Sequence, residues 1–255
     1  MVMNEDPFNL DGKIAIITGA ARGLGKSMAI GLAKYGAHVV ITDVIDTSET
    51  LKEIKKFDKK AFDLQVDVSD KSNVEKMIEK TVDTFGSIDI LVNNAGILKT
   101  ADAEDFLEND WKKVIDVNLN GVFLCAQAAG KQMIKQKSGK IINISSIAGL
   151  SGYASSIAYS ASKAGVISLT QTLAAEWGKY NINVNAICPG VFATDMTADY
   201  LKDDQFKNMI KTNVPLGRYA ESDELIGTII YLASDAANYV TGHSLIIDGG
   251  WVAGL

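Results

Sequence analysis

Cysteine is scarce in these 255 residues. Only Cys125 and Cys188 occur, far apart and outside any Cys-x-x-Cys spacing, so neither a disulfide framework nor a thiolate zinc site is expected. Histidine is as rare: His38 and His243 fall in unrelated segments, which leaves no His-based triad and no metal site to expect. No apolar run approaches the ~20 residues a membrane helix needs. The start, Met1-Val2-Met3-Asn4-Glu5-Asp6, is acidic and lacks an apolar core, so it does not read as a secretory signal. An excess of basic residues is also missing. With a formal net charge of −6, the chain repels polyphosphate at long range, which argues against nucleic-acid partners and anionic membranes. A bound nucleotide remains compatible, because local dipoles rather than net charge would hold it. These absences predict a cytoplasmic protein with a small-molecule partner.

What is present has an ordinary globular balance, 47% hydrophobic and 22% charged, so disorder is not expected. Strand-like and helix-like segments alternate. Short Val- and Ile-rich runs fall at Ile14–Thr18, His38–Asp43, Ala61–Gln65, Ile88–Val92, Lys140–Ile144, Val184–Ile187 and Ser244–Ile247. They do not alternate with polar residues, as suits strands covered on both faces. Helical patterns lie between them, including Ser48–Phe57, Ile157–Tyr180 and Ser222–Ala233, and Ser72 with Glu75 forms a capping-box pattern. The expectation is an α/β Rossmann fold: one domain over residues 1–255, with a doubly wound parallel sheet of about seven strands and helices on both faces. The least regular stretch, about 191–216, reads as a lid over a site.

Thr18-Gly19-Ala20-Ala21-Arg22-Gly23-Leu24-Gly25 joins the first strand to the first helix. Glycines there permit a tight turn and let the backbone approach a pyrophosphate resting on the helix N-terminus. A plain tight turn can look the same; the position directly after a buried strand favours the phosphate reading. The second strand ends at Asp43, about twenty residues past the turn, where an acid can accept hydrogen bonds from ribose hydroxyls and repel a 2′-phosphate. Val44 rather than a base follows it. NAD(H) is therefore expected, with Arg22 leaving a minor route to NADP(H).

Tyr159 and Lys163 sit at i and i+4 on the long helix and face the same way. A phenol with a pKa of about 10 is a poor base at neutral pH, and a neighbouring ammonium lowers that value. The pair is a sensible acid–base unit for a ketone or alcohol oxygen. Ser146, at the end of the fifth strand, offers a hydroxyl to the same oxygen. Asn118 sits mid-helix, where Asn has poor propensity, a cost easier to understand if the residue has a task. Asn93-Asn94-Ala95-Gly96 follows the fourth strand, at the edge where open α/β sheets bind ligands.

In order and spacing these pieces resemble the short-chain dehydrogenase/reductase family over essentially the whole length: TGAARGLG at 18–25, NNAG at 93–96, Asn118, Ser146, YSASK at 159–163, PG at 189–190 and DGG at 248–250. The resemblance implies a catalytic set of Asn118, Ser146, Tyr159 and Lys163. Tyr159 would be the acid/base and Ser146 would orient the substrate oxygen. Lys163 would lower the tyrosine pKa and hold the nicotinamide ribose, and Asn118 would hold a relay water. It further implies a cofactor bound by Gly19, Arg22, Gly23, Leu24 and Gly25, with Asp43 and Asn94 near the adenosine ribose and Asp67 and Val68 flanking the adenine. Ala95, Gly96, Pro189, Gly190 and Thr194 would complete the cofactor site, Thr194 on the carboxamide. Family members are commonly tetramers, so a homotetramer is expected.

The C-terminal stretch through Asp248-Gly249-Gly250-Trp251 is similar to gluconate 5-dehydrogenases and to 2-deoxy-D-gluconate or 2-dehydro-3-deoxy-D-gluconate dehydrogenases, which implies a sugar-acid substrate. Lys99 could then meet a carboxylate, with Ser146, Tyr153, Phe192 and Met196 around the substrate. Sugar-acid members often carry an arginine shortly after NNAG, and here that stretch is Ile97-Leu98-Lys99-Thr100. The pocket wall 147–153 also resembles 3-oxoacyl-[acyl-carrier-protein] reductases, the alternative activity, although Asp43 fits their usual NADPH preference poorly. A non-catalytic NAD-binding regulator is the reading from another class.

Overall fold

The computed structural model describes residues 6–254; the acidic start discussed above lies, but for Asp6, outside the described residues, as does Leu255. Among the described residues nine strands are formed: β1 (Ile14–Thr18), β2 (His38–Asp43), β3 (Ala61–Gln65), β4 (Ile90–Asn93), β5 (Gly139–Ile144), β6 (Ile182–Pro189), β7 (Phe192–Ala193), β8 (Ala220–Glu221) and β9 (Ser244–Ile247). The α-helices are α1 (Gly23–Lys34), α2 (Ser48–Ile54), α3 (Lys71–Phe85), α4 (Glu108–Ile115), α5 (Gly121–Gln136), α6 (Ile157–Trp177), α7 (Asp204–Asn213) and α8 (Ile226–Ala233). Seven strands make one parallel sheet in the order β3-β2-β1-β4-β5-β6-β9, and β7 pairs with β8 in a small second ladder.

Consecutive strand residues point to opposite faces, and both faces are dry. On β1, Ala15 and Ile17 join a core with Met28 and Leu32 of α1 and Ile229 of α8. Ile16 faces the other way, into a core with Met77 of α3, Cys125 and Met133 of α5 and Leu173 of α6. Two covered faces explain why the strands read as continuous Val/Ile runs. No helix of the described residues is long and apolar enough to cross a membrane.

Some boundaries differ from expectation for identifiable reasons. Ile88 precedes β4 because the Gln136 side chain takes both of its backbone groups, accepting from its N–H at 3.1 Å and donating to its carbonyl at 2.8 Å. Ser72 does not cap α3. Asp70 does, its Oδ1 accepting from the N–H groups of Ser72 and Asn73. The expected helices ending at Phe57 and Tyr180 tighten into 3₁₀ turns after Ile54 and Trp177, and Ser222–Leu225 is a 3₁₀ turn ahead of α8.

Sheet order reverses between β1 and β4, so the loops leaving these two neighbours run to opposite sides and open a crevice above the strand ends. Ligands of open α/β sheets bind in such a crevice.

Candidate active site

The crevice is a cleft of about 800 Å³, a volume within the usual range for ligand pockets. Its floor begins at the glycine turn. Gly19 and Gly23 hold φ of +65° and +55°, and a Cβ on Gly19 would stand 2.7 Å from Ala95 Cα. A Cβ on Gly25 would collide with the Gly19 carbonyl. Asn94 knits the turn to the β4 loop, its Nδ2 donating to the carbonyls of Thr18 and Gly19 at 3.0 and 2.8 Å. Helix α1 starts with no side-chain cap and no acid in its first turn, so its leading N–H groups face the cleft without a competing anion.

Asp43 closes the far side of the turn. Its Oδ2 accepts from Ala21 N–H at 3.0 Å, and its Oδ1 accepts from the N–H groups of Val44 and Ile45 at 2.8 and 3.2 Å. The carboxylate is thereby fixed on the lip of the cleft. Asp67, Val68, Gly96, Pro189, Gly190 and Thr194 line the same cleft. Pro189 and Gly190 are locked to the DGG segment: Gly190 N–H donates to Ile247 O at 2.8 Å, and a Cβ on Gly190 would meet Asp248 Cα at 2.7 Å.

Ser146, Tyr159 and Lys163 converge on one stretch of the lining. Ser146 ends the β5 loop, its Oγ accepting from Ala148 N–H at 3.1 Å. Lys163, one turn beyond Tyr159 on α6, is 3% exposed and donates from Nζ to Ile144 O at 2.8 Å. Burial lowers this lysine to about 8, and the neighbouring Cys188 opposes the shift. Tyr159 moves the other way: burial pushes its phenol above the ordinary value, and the Ser146 hydroxyl pulls it back in part. The lowering expected from Lys163 is absent in this state, in which the ammonium donates to the Ile144 carbonyl.

Asn118 is fully buried and lies in a π-turn, Asp116–Asn120, between α4 and α5. Such turns mark places where a helix is bent to a task. Its side chain brackets Ile97, with Oδ1 accepting from the Ile97 N–H at 2.8 Å and Nδ2 donating to the Ile97 carbonyl at 2.9 Å. A Cβ on Gly96 would lie 3.4 Å from Asn118 Oδ1 and 3.5 Å from Lys163 Nζ, so these three residues meet; Gly96 and Lys163 line the cleft, whereas Asn118 lies behind them and does not.

Of the residues expected around a substrate, Ser146, Phe192 and Met196 line the cleft. Lys99 and Tyr153 do not. Lys99 turns its ammonium toward Asp110, 3.9 Å away, and Tyr153 packs edge-on against Trp251 with ring centroids 6.0 Å apart. Sequence reading passed over Val44, Leu98, Lys113, Val117 and Asp195, which do line it. Lys113 and Val117 are at i and i+4 to each other on the helical run leading to Asn118 and so share a face, a signal that could have found them. A second, shallower groove of about 280 Å³ between α3 and α5 holds none of the expected site residues.

A family model described as enoyl-(acyl carrier protein) reductase matches residues 19–252. The chain is 42% identical to the 2-dehydro-3-deoxy-D-gluconate 5-dehydrogenase of Dickeya dadantii (strain 3937), covering 99% of this chain and 100% of that one. It is equally, 42%, identical to a 3-oxoacyl-[acyl-carrier-protein] reductase of Synechocystis sp., over 95% of this chain and 98% of the relative. The structure of a gluconate 5-dehydrogenase from Burkholderia cenocepacia J2315, in complex with NADP and tartrate, superposes with a TM-score of 0.94 at 37% identity, covering 98% and 99% of the two chains. With a seven-stranded parallel sheet, a glycine turn at its reversal point and Ser146, Tyr159 and Lys163 gathered on the cleft floor, the chain belongs to the short-chain dehydrogenase/reductase family.

Proposed function

We propose that this oxidoreductase transfers a hydride between a nicotinamide cofactor, NAD(H) by preference, and a secondary alcohol or ketone of a sugar acid of the gluconate or deoxygluconate type. The observation that carries the reading is the meeting of Ser146, Tyr159 and Lys163 on one stretch of a cleft that begins at an uncapped helix N-terminus. The cradle fits a dinucleotide: the absence of side chains at Gly19 and Gly25 lets the turn pack against Ala95 and on itself, leaving backbone along the cleft, and Asp43 stands fixed beside it. Gly19, Gly23, Leu24 and Gly25 would hold the pyrophosphate, with Arg22 and Asp43 on the adenosine ribose side and Asp67 and Val68 against the adenine. Asn94, Ala95, Gly96, Pro189, Gly190 and Thr194 would complete the site.

When bound, the nicotinamide supplies or accepts the hydride. The chain's own groups handle the proton and the geometry. Tyr159 Oη gives a proton to the ketone oxygen, or takes one from the alcohol, while Ser146 Oγ donates to that oxygen and fixes its position. The Lys163 ammonium would hold the ribose and, once directed at the phenol, would favour the phenolate by charge. Asn118 brackets Ile97 beside Gly96 and, as the family resemblance implies, would hold a relay water. Phe192 and Met196 belong to the segment at about 191–216, which would close over the substrate.

The sugar-acid reading is supported by the relative from Dickeya dadantii and by the Burkholderia cenocepacia structure. The reductase from Synechocystis sp., at equal identity, supports 3-oxoacyl thioester reduction as the second reading, and apolar Leu98 and Met196 on the lining suit an acyl chain. A pure NAD-binding regulator has no need of the acid–base set. NAD⁺ reduction measured over sugar acids and neutral polyols, with NAD(P)H oxidation measured over 3-oxoacyl thioesters, separates these readings. Turnover of a 3-oxoacyl thioester with none on sugar acids would move the assignment to the second.

A further inference from the structure

Arg22 and Asp195 meet across the mouth of the cleft, with Nε 3.5 Å from Oδ2 and side chains 66% and 59% exposed. Arg22 is the N-cap residue of α1 on the glycine turn. Asp195 follows β7 and is the neighbour of Thr194, whose side chain would lie 3.5 Å from a Cβ on Gly23. Both line the cleft together with Asp43.

A 2′-phosphate on an adenosine ribose brings roughly two negative charges and needs a guanidinium or ammonium at that point. At the turn itself Arg22 is the available cation. Asp43 faces the ribose position as a fixed carboxylate. With Asp195 on the guanidinium, these three side chains sum to one negative charge; with Asp195 neutral they would sum to zero. Attraction for a phosphate therefore depends on whether Asp195 is charged.

We propose that Asp195 is a cofactor-specificity residue. By occupying Arg22 it withholds the turn's guanidinium from a 2′-phosphate and adds to the discrimination exerted by Asp43. The inference rests on the nicotinamide-cofactor reading above and deepens it. The ion pair is exposed, so its influence is modest.

The test is Asp195→Asn, which keeps the shape and removes the charge. kcat/KM and the dissociation constant, the latter by fluorescence titration without turnover, are measured separately for NADPH and NADH. The expected result is tighter NADPH binding and higher NADPH efficiency by about three- to fivefold, with NADH changed by less than about twofold. The gain should vanish in Arg22→Gln/Asp195→Asn. Equal changes for both cofactors would show that the pair serves closure of the segment rather than discrimination. A gain that survives the double substitution, or no gain at all, equally overturns the proposal. Equal use of both cofactors by the unmodified protein would instead overturn the NAD(H) preference, a separate result from the Asp195 cycle.

Discussion

The Lys163 ammonium lies 5.6 Å from the centroid of the Tyr159 ring and is held by the Ile144 carbonyl at 2.8 Å. One burial environment thus acts on both groups in opposite senses, lowering the lysine to about 8 and raising the phenol. Ketone reduction needs a protonated phenol and gains from a charged lysine. Its kcat/KM, which reports groups of the free enzyme, should be level below pH 8 and fall as pH rises through about 8, where Lys163 loses its proton. The phenol stays protonated throughout that range. A profile measured from pH 6 to 10 that stays flat past 9.5 would remove Lys163 from this role.

The same lysine has a stability signature with a definite sign. Its folded value of about 8 lies below the unfolded value of about 10.4. Between those two pH values the unfolded chain binds the extra proton, so this group makes stability rise with pH. Below about 8 both states are charged and the contribution is flat. Thermal melts of the unmodified protein and of Lys163→Met, taken at pH 7, 8, 9 and 10, isolate the term as a difference. The unmodified protein should gain Tm relative to the variant on going from 8 to 10. A constant difference rejects it.

Asp43, proposed above to accept from ribose hydroxyls, is held by three backbone N–H groups. NADH should be used much more efficiently than NADPH, and Asp43→Ala should narrow the gap. Because the carboxylate also binds Ala21, Val44 and Ile45, part of the loss with NADH will be a loosened turn. Asp43→Asn, which keeps an acceptor, should retain more NADH activity than the alanine variant. Comparable losses in the two variants would assign the effect to negative charge alone.

Lys99 illustrates how far a loop lysine can be misread. The residue sits on the expected edge of the sheet, yet its ammonium faces Asp110 and does not line the cleft. Lys99→Ala should leave KM for a sugar acid within about twofold, the scale of a lost surface contact. A KM rise of tenfold or more, absent with a neutral polyol, would restore the residue to the substrate's carboxylate.

The sheet was legible because both faces of it are buried: Ile16 and Ile17 serve different cores, and the run that results has no polar residue before Thr18 to blur it. The glycine turn and the Tyr159–Lys163 pair were legible because local spacing alone fixes their geometry. Cap and boundary errors came from side chains acting at a distance, such as Gln136 on Ile88, or from two local acceptors competing, as with Asp70 and Ser72. Asp195 was invisible for a stronger reason. Its neighbour Arg22 is far away in sequence, and only the folding of the segment after β6 over the glycine turn brings them together.

Assembly offers a last prediction. On α5, Val122, Cys125 and Ala126 are buried in the chain's own core, whereas Phe123 is 41% exposed. Leu107 and Trp111, ahead of and within α4, are 67% and 38% exposed. Large apolar side chains left in water along successive elements suit a surface that is covered in an oligomer, in keeping with the tetramer proposed from family resemblance. Phe123→Glu places a charge where such a contact would be dry and removes nothing from the monomer's core. Light scattering at micromolar concentration should give a tetramer for the unmodified protein and a smaller species for the variant, with an unchanged circular dichroism spectrum. An unmodified protein that runs as a monomer would show that these side chains stay exposed for another reason.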